Sequence, residues 1–387
     1  MISAGIIVTD PDFRKQIVDC LKGLGVRIEF AVEGIAGQAH QTAATNPDLL
    51  VLDFSQSGMP GVMTAIKSLE APVAVIAVHH LGEAEAILTA LRLGAREFLW
   101  PPLNQKALAS AVRSIEAQKA QRDARRQATT AVGFLAAAGG CGATTIACHV
   151  AADLRRSGAG QIGLLDFDLA AGMAGFWFGA AGTSYSVLDA VHNLGRMDTS
   201  LWKGLVSAVQ PQLDVLTAPA EIPLGGLPGA HDFAGALRYA RCQYDWIVAD
   251  LGANLTSLSA ALIEDLNSVY VVTTPDVSSL LQTRRIVQRL VQLDCPKEKL
   301  KVLVSRVQKG QVVYPDDLKS MIGVPVEAVF PSDSPEISEA HASGRLMAPK
   351  SDFGRRIAQF SAQLTGKTAE EAKPPRFSMF RLRSQEA

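Results

Sequence analysis

Along residues 1 to about 117, short solid apolar runs alternate with segments whose apolar residues fall three or four apart. The runs Gly5 to Val8, Leu49 to Phe54, Val73 to Val78 and Phe98 to Leu99 predict strands buried on both faces. The segments Phe13 to Leu24, Val62 to Leu69, Glu83 to Leu93 and Gln105 to Ala117 predict amphipathic helices between them. Such βα alternation specifies a doubly wound α/β domain, an open parallel sheet whose ligand sites lie beyond the carboxyl ends of its strands. Residues 118–130 are charged, Ala-rich and free of Gly and Pro. They predict a solvated helical linker carrying Arg122, Arg125 and Arg126.

A second α/β unit, 131–366, follows. Ala131 to Ala137 predicts a buried strand, and a Gly-rich turn leads from it into an Ala-rich helix opened by Thr144 and Thr145. Further strands are predicted around Gln161–Asp166, Tyr244–Asp250, Ser268–Thr273, Lys301–Ser305 and Val329–Pro331, with a helix over Ser278 to Leu293. The last stretch, 367–387, is Pro-broken and mildly basic, and reads as a flexible or partner-docking tail.

Composition narrows the picture modestly. A chain of 387 residues, 48% hydrophobic and 19% charged, has room for two or three globular cores. A formal net charge of −1 argues against a protein-wide electrostatic grip on nucleic acid. Cys20, Cys141, Cys148, Cys242 and Cys295 are scattered, without C-x-x-C or metal-ligand spacing, and suit a reducing cytoplasm. The first residues show neither a basic n-region nor a long apolar h-region, so no signal peptide is expected. Residues 131–152 are uncharged over a membrane-spanning length, yet their Gly, Thr and His content fits strand, loop and helix better.

The candidate chemistry centres on Ala138-Gly139-Gly140-Cys141-Gly142-Ala143-Thr144-Thr145. A Gly-rich turn between strand and helix can curl its amides around a phosphate, and the Thr that follows can place a hydroxyl on Mg²⁺. Asp166 and Asp168 end one strand and share its face; Asp250, with Gly252 two residues on, ends another. A carboxylate there can accept a hydrogen bond from metal-bound water.

This order of motifs resembles the MinD/ParA ATPases and their deviant phosphate loop Lys-Gly-Gly-x-Gly-Lys-Thr-Thr, with alanine at both lysine positions, 138 and 143. The resemblance implies ATP and Mg²⁺ as ligands. It implies Gly139, Gly140, Cys141, Gly142, Ala143, Thr144, Thr145, Asp166, Asp250, Ser305 and Pro331 at the nucleotide. Thr144 and, through water, Asp250 would serve the metal, with Asp168 placing the attacking water. Ser305 stands where the family has an Asn against the adenine, and Pro331 and Asp333 match its Pro-x-Asp turn. Losing lysines from a site that depends on positioned positive charge predicts weakened binding and little or no hydrolysis.

The first unit resembles a response-regulator receiver (flavodoxin-like) domain, with Asp53 as phospho-acceptor. Val8 and Thr9 replace the acidic metal pair, and Pro101-Pro102 lacks the family's lysine. A degenerate receiver serving docking or dimerisation is therefore expected. The pairing of the two units resembles the CpaE/TadZ proteins of Tad (Flp) pilus assembly. That resemblance implies a homodimer at a cell pole, peripheral to the inner membrane, which recruits pilus components including the secretion ATPase. It implies no specific nucleic acid partner. An active partition-type ATPase and a phospho-regulated response regulator are the alternatives.

Overall fold

The structure, a computed structural model, describes residues 2–34, 47–55, 73–80, 84–180, 185–221, 226–332, 339–340 and 342–366, with positions 45, 59, 62, 63 and 66 besides. The first sheet contains β1 (Ser3–Ile7), β2 (Arg27–Val32), β3 (Leu49–Asp53), β4 (Ala74–Val78) and β5 (Glu97–Leu99). Their order is β2-β1-β3-β4-β5 and every pairing is parallel.

β1, β3 and β4 are buried throughout because helices cover both faces. On one side Ile6, Val51 and Ile76 pack with Phe13, Ile17 and Leu21 of α1 (Pro11–Gly23) and with Leu108 and Val112. On the other, Leu50, Leu52 and Val75 pack with Phe30, Phe98 and Ala90 of α2 (Ala84–Leu93). Asp10 caps α1, its Oδ1 accepting from the Asp12 and Phe13 amides. β2 is not among the solid apolar runs of the sequence: it is an edge strand in which Arg27 and Glu29 alternate with Ile28 and Phe30. The helix predicted over Val62 to Leu69 falls largely outside the described residues.

The helix predicted to end at Ala117 and the linker predicted to follow it are one element, α3 (Gln105–Ala128). Its linker half is largely exposed to solvent and is also pinned at two places. Lys119 Nζ pairs with Asp48 at 2.6 Å, while Arg126 pairs with Asp265 in the second unit. Arg125 donates to the Cys242 carbonyl at 3.4 Å, and buried Arg241 donates back to the carbonyls of Arg126 (2.9 Å) and Thr129 (3.1 Å). The side chain of Arg122 lies outside the described residues. Thr129 alone separates α3 from the next strand, and its hydroxyl lies within hydrogen-bonding distance of the Arg125, Arg241 and Tyr244 carbonyls.

The second sheet has eight strands: β6 (Thr130–Ala136), β7 (Ile162–Asp166), β8 (Ser207–Gln210), β9 (Leu213–Leu216), β10 (Trp246–Ala253), β11 (Ser268–Thr273), β12 (Leu300–Val307) and β13 (Val326–Pro331). Their order is β13-β12-β11-β6-β10-β7-β9-β8, parallel except for β8 against β9. β6 is central, and the connection from it through α4 (Ala143–Arg156) runs to β7 on one side while β11 flanks it on the other. The phosphate-loop candidate therefore sits at the switch in strand order, where open sheets leave a crevice.

Two apolar layers enclose the sheet. One contains Phe233 and Leu237 of α5 (Ala230–Ala240) and Ile286 and Leu290 of α6 (Val277–Gln292). The other joins α4 to α7 (Asp352–Leu364), whose Phe360 meets Tyr270 and Phe134 edge-on. Among the described residues no helix is long and apolar enough to cross a membrane.

Candidate functional site

The site begins where β6 gives way to a turn that needs glycine at two positions. Gly140 and Gly142 have φ values of +82° and +90°, a region glycine occupies without steric cost. α4 then starts with Gly142 as its N-cap and no side-chain cap. The amides of Gly142, Ala143, Thr144 and Thr145 find no protein acceptor among the described residues. Free donors at the positive end of a 14-residue helix form an anion cradle. Ala143 is buried in the apolar cluster beneath the turn and Ala138 is half-buried against it, so neither former lysine position contributes charge.

Asp166 ends β7, and Asp250, three residues before the end of β10, stands in register with it. Both side chains are wholly buried. Asp166 is satisfied by its own loop, accepting from the Asp168 amide at 3.1 Å and the Ala174 amide at 3.0 Å. It shapes the turn after β7 rather than facing open space. Asp250 Oδ1 accepts from the Gly252 amide at 3.1 Å, while its Oδ2 has no hydrogen-bond partner.

Burial, then the charge of Asp250, holds Asp166 well above the ordinary carboxylate range. Burial likewise pushes Asp250 up to about 6, although the nearby Thr144 hydroxyl and the Gly252 amide favour its ionised form. The hydroxyl makes no hydrogen bond to Oδ2. Leaving a buried acceptor unpaired costs about 1–3 kcal/mol, more when it is charged.

Asp168 accepts from the Ala170 and Ala171 amides at 3.2 and 3.0 Å through Oδ1, leaving Oδ2 without a protein donor among the described residues. It packs so closely over Gly252 (φ +72°) that a Cβ there would meet Asp168 Cγ at 2.9 Å. The turn after β7 is thus interlocked with the last residues of β10.

These residues fit Mg²⁺ with a nucleotide. Mg²⁺ keeps several waters and takes few protein ligands, and the unpaired Asp250 Oδ2 can accept from one of those waters while Thr144 supplies a hydroxyl. Among the described residues no group of three or more His, Cys, Asp or Glu side chains is arranged to hold a metal alone, which leaves the remaining ligands to phosphate and water.

Three placements were not foreseen. Ser305 is buried, and its hydroxyl donates to the Cys141 carbonyl, bracing the loop from β12. The position expected against a base is thus tied to the phosphate turn. Pro331 ends β13, separated from β6 by β11 and β12, and Asp333 lies outside the described residues. His149 on α4 links Thr145 to the carboxyl-terminal segment. Its Nδ1–H donates to the Thr145 carbonyl at 2.6 Å, and its Nε2 accepts from the Met347 amide at 2.9 Å. Trp177 and Phe353 pack edge-on against its ring.

The strand-end carboxylate of the first unit is built differently. Asp53 is buried; its Oδ2 accepts from the Thr9 amide at 3.0 Å and its Oδ1 from the Ser55 amide at 3.0 Å and the Ser55 hydroxyl. Burial works against its charge, but these bonds more than offset it and leave the carboxyl below its ordinary range. Val8 is buried beside it and Thr9 contributes an amide, so no second carboxylate stands at either position.

No protein-family model matches the chain. The septum site-determining protein MinD of Thermotoga maritima is 24% identical over 217 residues, 53% of this chain and 76% of that protein. The chemotaxis protein CheY of Treponema pallidum is 29% identical over 115 residues, 28% of this chain and 80% of that protein. Among solved structures, the ParA family ATPase of Chlorobium tepidum superposes with a TM-score of 0.57 at 24% identity, over 61% of this chain and 98% of that one. The two halves therefore have separate relatives, and the chain joins a receiver-like domain to a MinD/ParA-like domain of mainly parallel sheet.

Proposed function

We propose that this protein is a homodimeric scaffold governed by nucleotide binding rather than turnover, a localisation factor of the CpaE/TadZ kind for Tad (Flp) pilus assembly. One observation carries the reading. The amide cradle, Thr144 and the unpaired Asp250 oxygen are assembled, while both lysine positions hold alanine. Backbone donors and Mg²⁺ can hold a triphosphate, but phosphoryl transfer needs positive charge on the transferring group, and losing one charge-assisted contact weakens binding by about tenfold to a hundredfold. A ligand that favours the dimer shifts the monomer–dimer equilibrium without being consumed.

In this role the dimer sits at a cell pole, peripheral to the inner membrane, and recruits pilus components including the secretion ATPase. The receiver-like domain serves as a docking module, since both Asp53 oxygens are already engaged. Calorimetry with Mg-ATP, with oligomeric state followed by light scattering in the same samples, tests the reading. Saturable binding that promotes dimers, with no steady phosphate release, is expected. A dimer indifferent to millimolar ATP would make the fold a platform without a ligand, and sustained hydrolysis would make it a working ATPase.

A further inference from the structure

The loop that lost two lysines has a cation beside it. Arg306 follows Ser305 on β12, and a Cβ placed on Gly140 would lie 3.9 Å from Arg306 Nη2. The side chain is exposed and makes no hydrogen bond or ion pair among the described residues. Its backbone has φ +55°, a left-handed conformation that a non-glycine residue of this size rarely adopts. Such strain costs about 1–3 kcal/mol and persists where the surroundings impose it. Here the hydroxyl of the preceding Ser305 is bonded to the Cys141 carbonyl, which fixes the end of β12 against the turn.

The charge balance shows what such a cation is for. Asp250 lies toward the carboxyl end of β10, the strand beside β6, and Asp166 and Asp168 at the end of β7, the strand beyond it; Asp250 Oδ2 is unpaired and fully buried. A triphosphate brought to this edge meets carboxylates, and the lysine that would ordinarily offset them is absent. A guanidinium is always charged, and its planar fork matches two phosphate oxygens at once.

We propose that Arg306 is the phosphate-binding cation of this site, reaching over the Gly139-Gly140 turn in the same chain to the phosphate chain of the nucleotide in place of lysine at positions 138 and 143. The assignment rests on the nucleotide reading given above and adds a residue to it. It further implies that the site was not simply disarmed. The charge comes from β12, outside the loop, so binding is retained while the loop-borne lysine geometry is not.

The test is calorimetry on the full chain with two probes, Mg-ATP and Mg-tripolyphosphate, for wild type, Arg306→Gly, Arg306→Lys, Ala143→Lys and the Ala143→Lys/Arg306→Gly pair. Glycine suits φ +55°, so Arg306→Gly should melt no lower than wild type, which separates loss of charge from loss of fold. Arg306→Gly is expected to weaken both probes equally, by tenfold or more, and to flatten the salt dependence of binding; Arg306→Lys should lose less. With lysine restored at 143, Arg306→Gly should cost less than threefold, because two cations serving the same phosphates are not additive. Unchanged affinity of Arg306→Gly for both probes overturns the assignment and leaves the nucleotide reading standing. A loss confined to Mg-ATP places Arg306 on the base or sugar and also overturns it. A wild-type protein that binds neither probe overturns both readings.

Discussion

Two buried strand carboxylates lie toward the carboxyl edges of the two parallel sheets, Asp53 at the end of β3 and Asp250 three residues before the end of β10, yet they are opposites. Asp53 is surrounded by donors from its own chain, the Thr9 amide and Ser55, and is held below its ordinary range. Asp250 has one amide, an unpaired oxygen and a carboxyl pushed up to about 6. The same topological position is self-satisfied in one domain and under-satisfied in the other. A self-satisfied carboxylate, with donors of its own chain on both oxygens, needs nothing further. An under-satisfied one is stabilised by whatever brings a donor or a cation, which is the condition for a ligand-controlled element.

The sharpest way to break this contrast is to remove each carboxylate and measure both properties. Asp250→Ala should lower Mg-ATP affinity by about a hundredfold, the scale of losing a metal-supporting contact of some 2.7 kcal/mol. Calorimetry on a variant confirmed to melt like wild type reads this directly, and an unchanged constant would sink the role given to Asp250. Ala143→Lys should act in the opposite direction, tightening Mg-ATP about tenfold, since the stem of the lysine can run through the apolar surroundings of that position with its charge at the turn.

Asp53→Ala should destabilise the first domain by about 1–3 kcal/mol, because the Thr9 and Ser55 donors lose their acceptor, and should leave nucleotide affinity alone. Chemical denaturation measures the loss. Incubating wild type with a small phosphodonor should leave its mass unchanged; an added phosphoryl group on Asp53 would show that the self-satisfied site still opens.

The smallest expected effect separates the two sites by the sign of their pH dependence. Asp250 has its folded pKa raised to about 6 above the ordinary 3.8, so the stability linked to it is fully present near pH 4 and is lost as pH rises through 6. Asp53 has its folded pKa lowered, so its contribution is present above the ordinary value and is lost only as acid carries the pH below it. Between pH 5 and 7.5 only the first kind of process operates, and Asp250 shares it with its buried neighbour Asp166, also held above the ordinary range. In chelator, without nucleotide, the protein should melt higher at pH 5.5 than at 7.5, and Asp250→Asn should shrink that difference. An equal difference in the variant would assign the pH dependence to other groups.

The parts legible in the sequence are those encoded within one segment. Asp166, Asp168 and Asp250 each close an apolar run, and the strand pattern alone set them at a sheet edge. Gly140 and Gly142 announced a turn that other residues resist. What stayed hidden depends on partners distant in the chain. Ser305 meets Cys141 across 164 positions, and His149 meets Met347 across 198. No local pattern distinguishes such contacts from a solvated serine or a packed imidazole. The same holds for Arg126, whose sequence context marks an exposed face but not its acidic partner, Asp265, 139 residues away. β2, Arg-Ile-Glu-Phe-Ala-Val, alternates polar and apolar residues as an edge strand does, and so lacks the solid apolar run that marks β1, β3 and β4.

The seam between the two domains has a consequence of its own. α3, about 36 Å long at 1.5 Å per residue, begins under the first sheet and ends one residue before β6, the strand that leads to the glycine turn. That one residue, Thr129, has its hydroxyl among three carbonyls, one of which its proton can reach at a time, and the guanidinium of Arg241 bonds its own carbonyl and that of Arg126. The seam therefore offers no slack for a protease and no swivel for independent tumbling. Whatever grips the first domain holds a rod whose far end is fastened to the strand beneath the phosphate turn, so a pull on one domain arrives as leverage on the other.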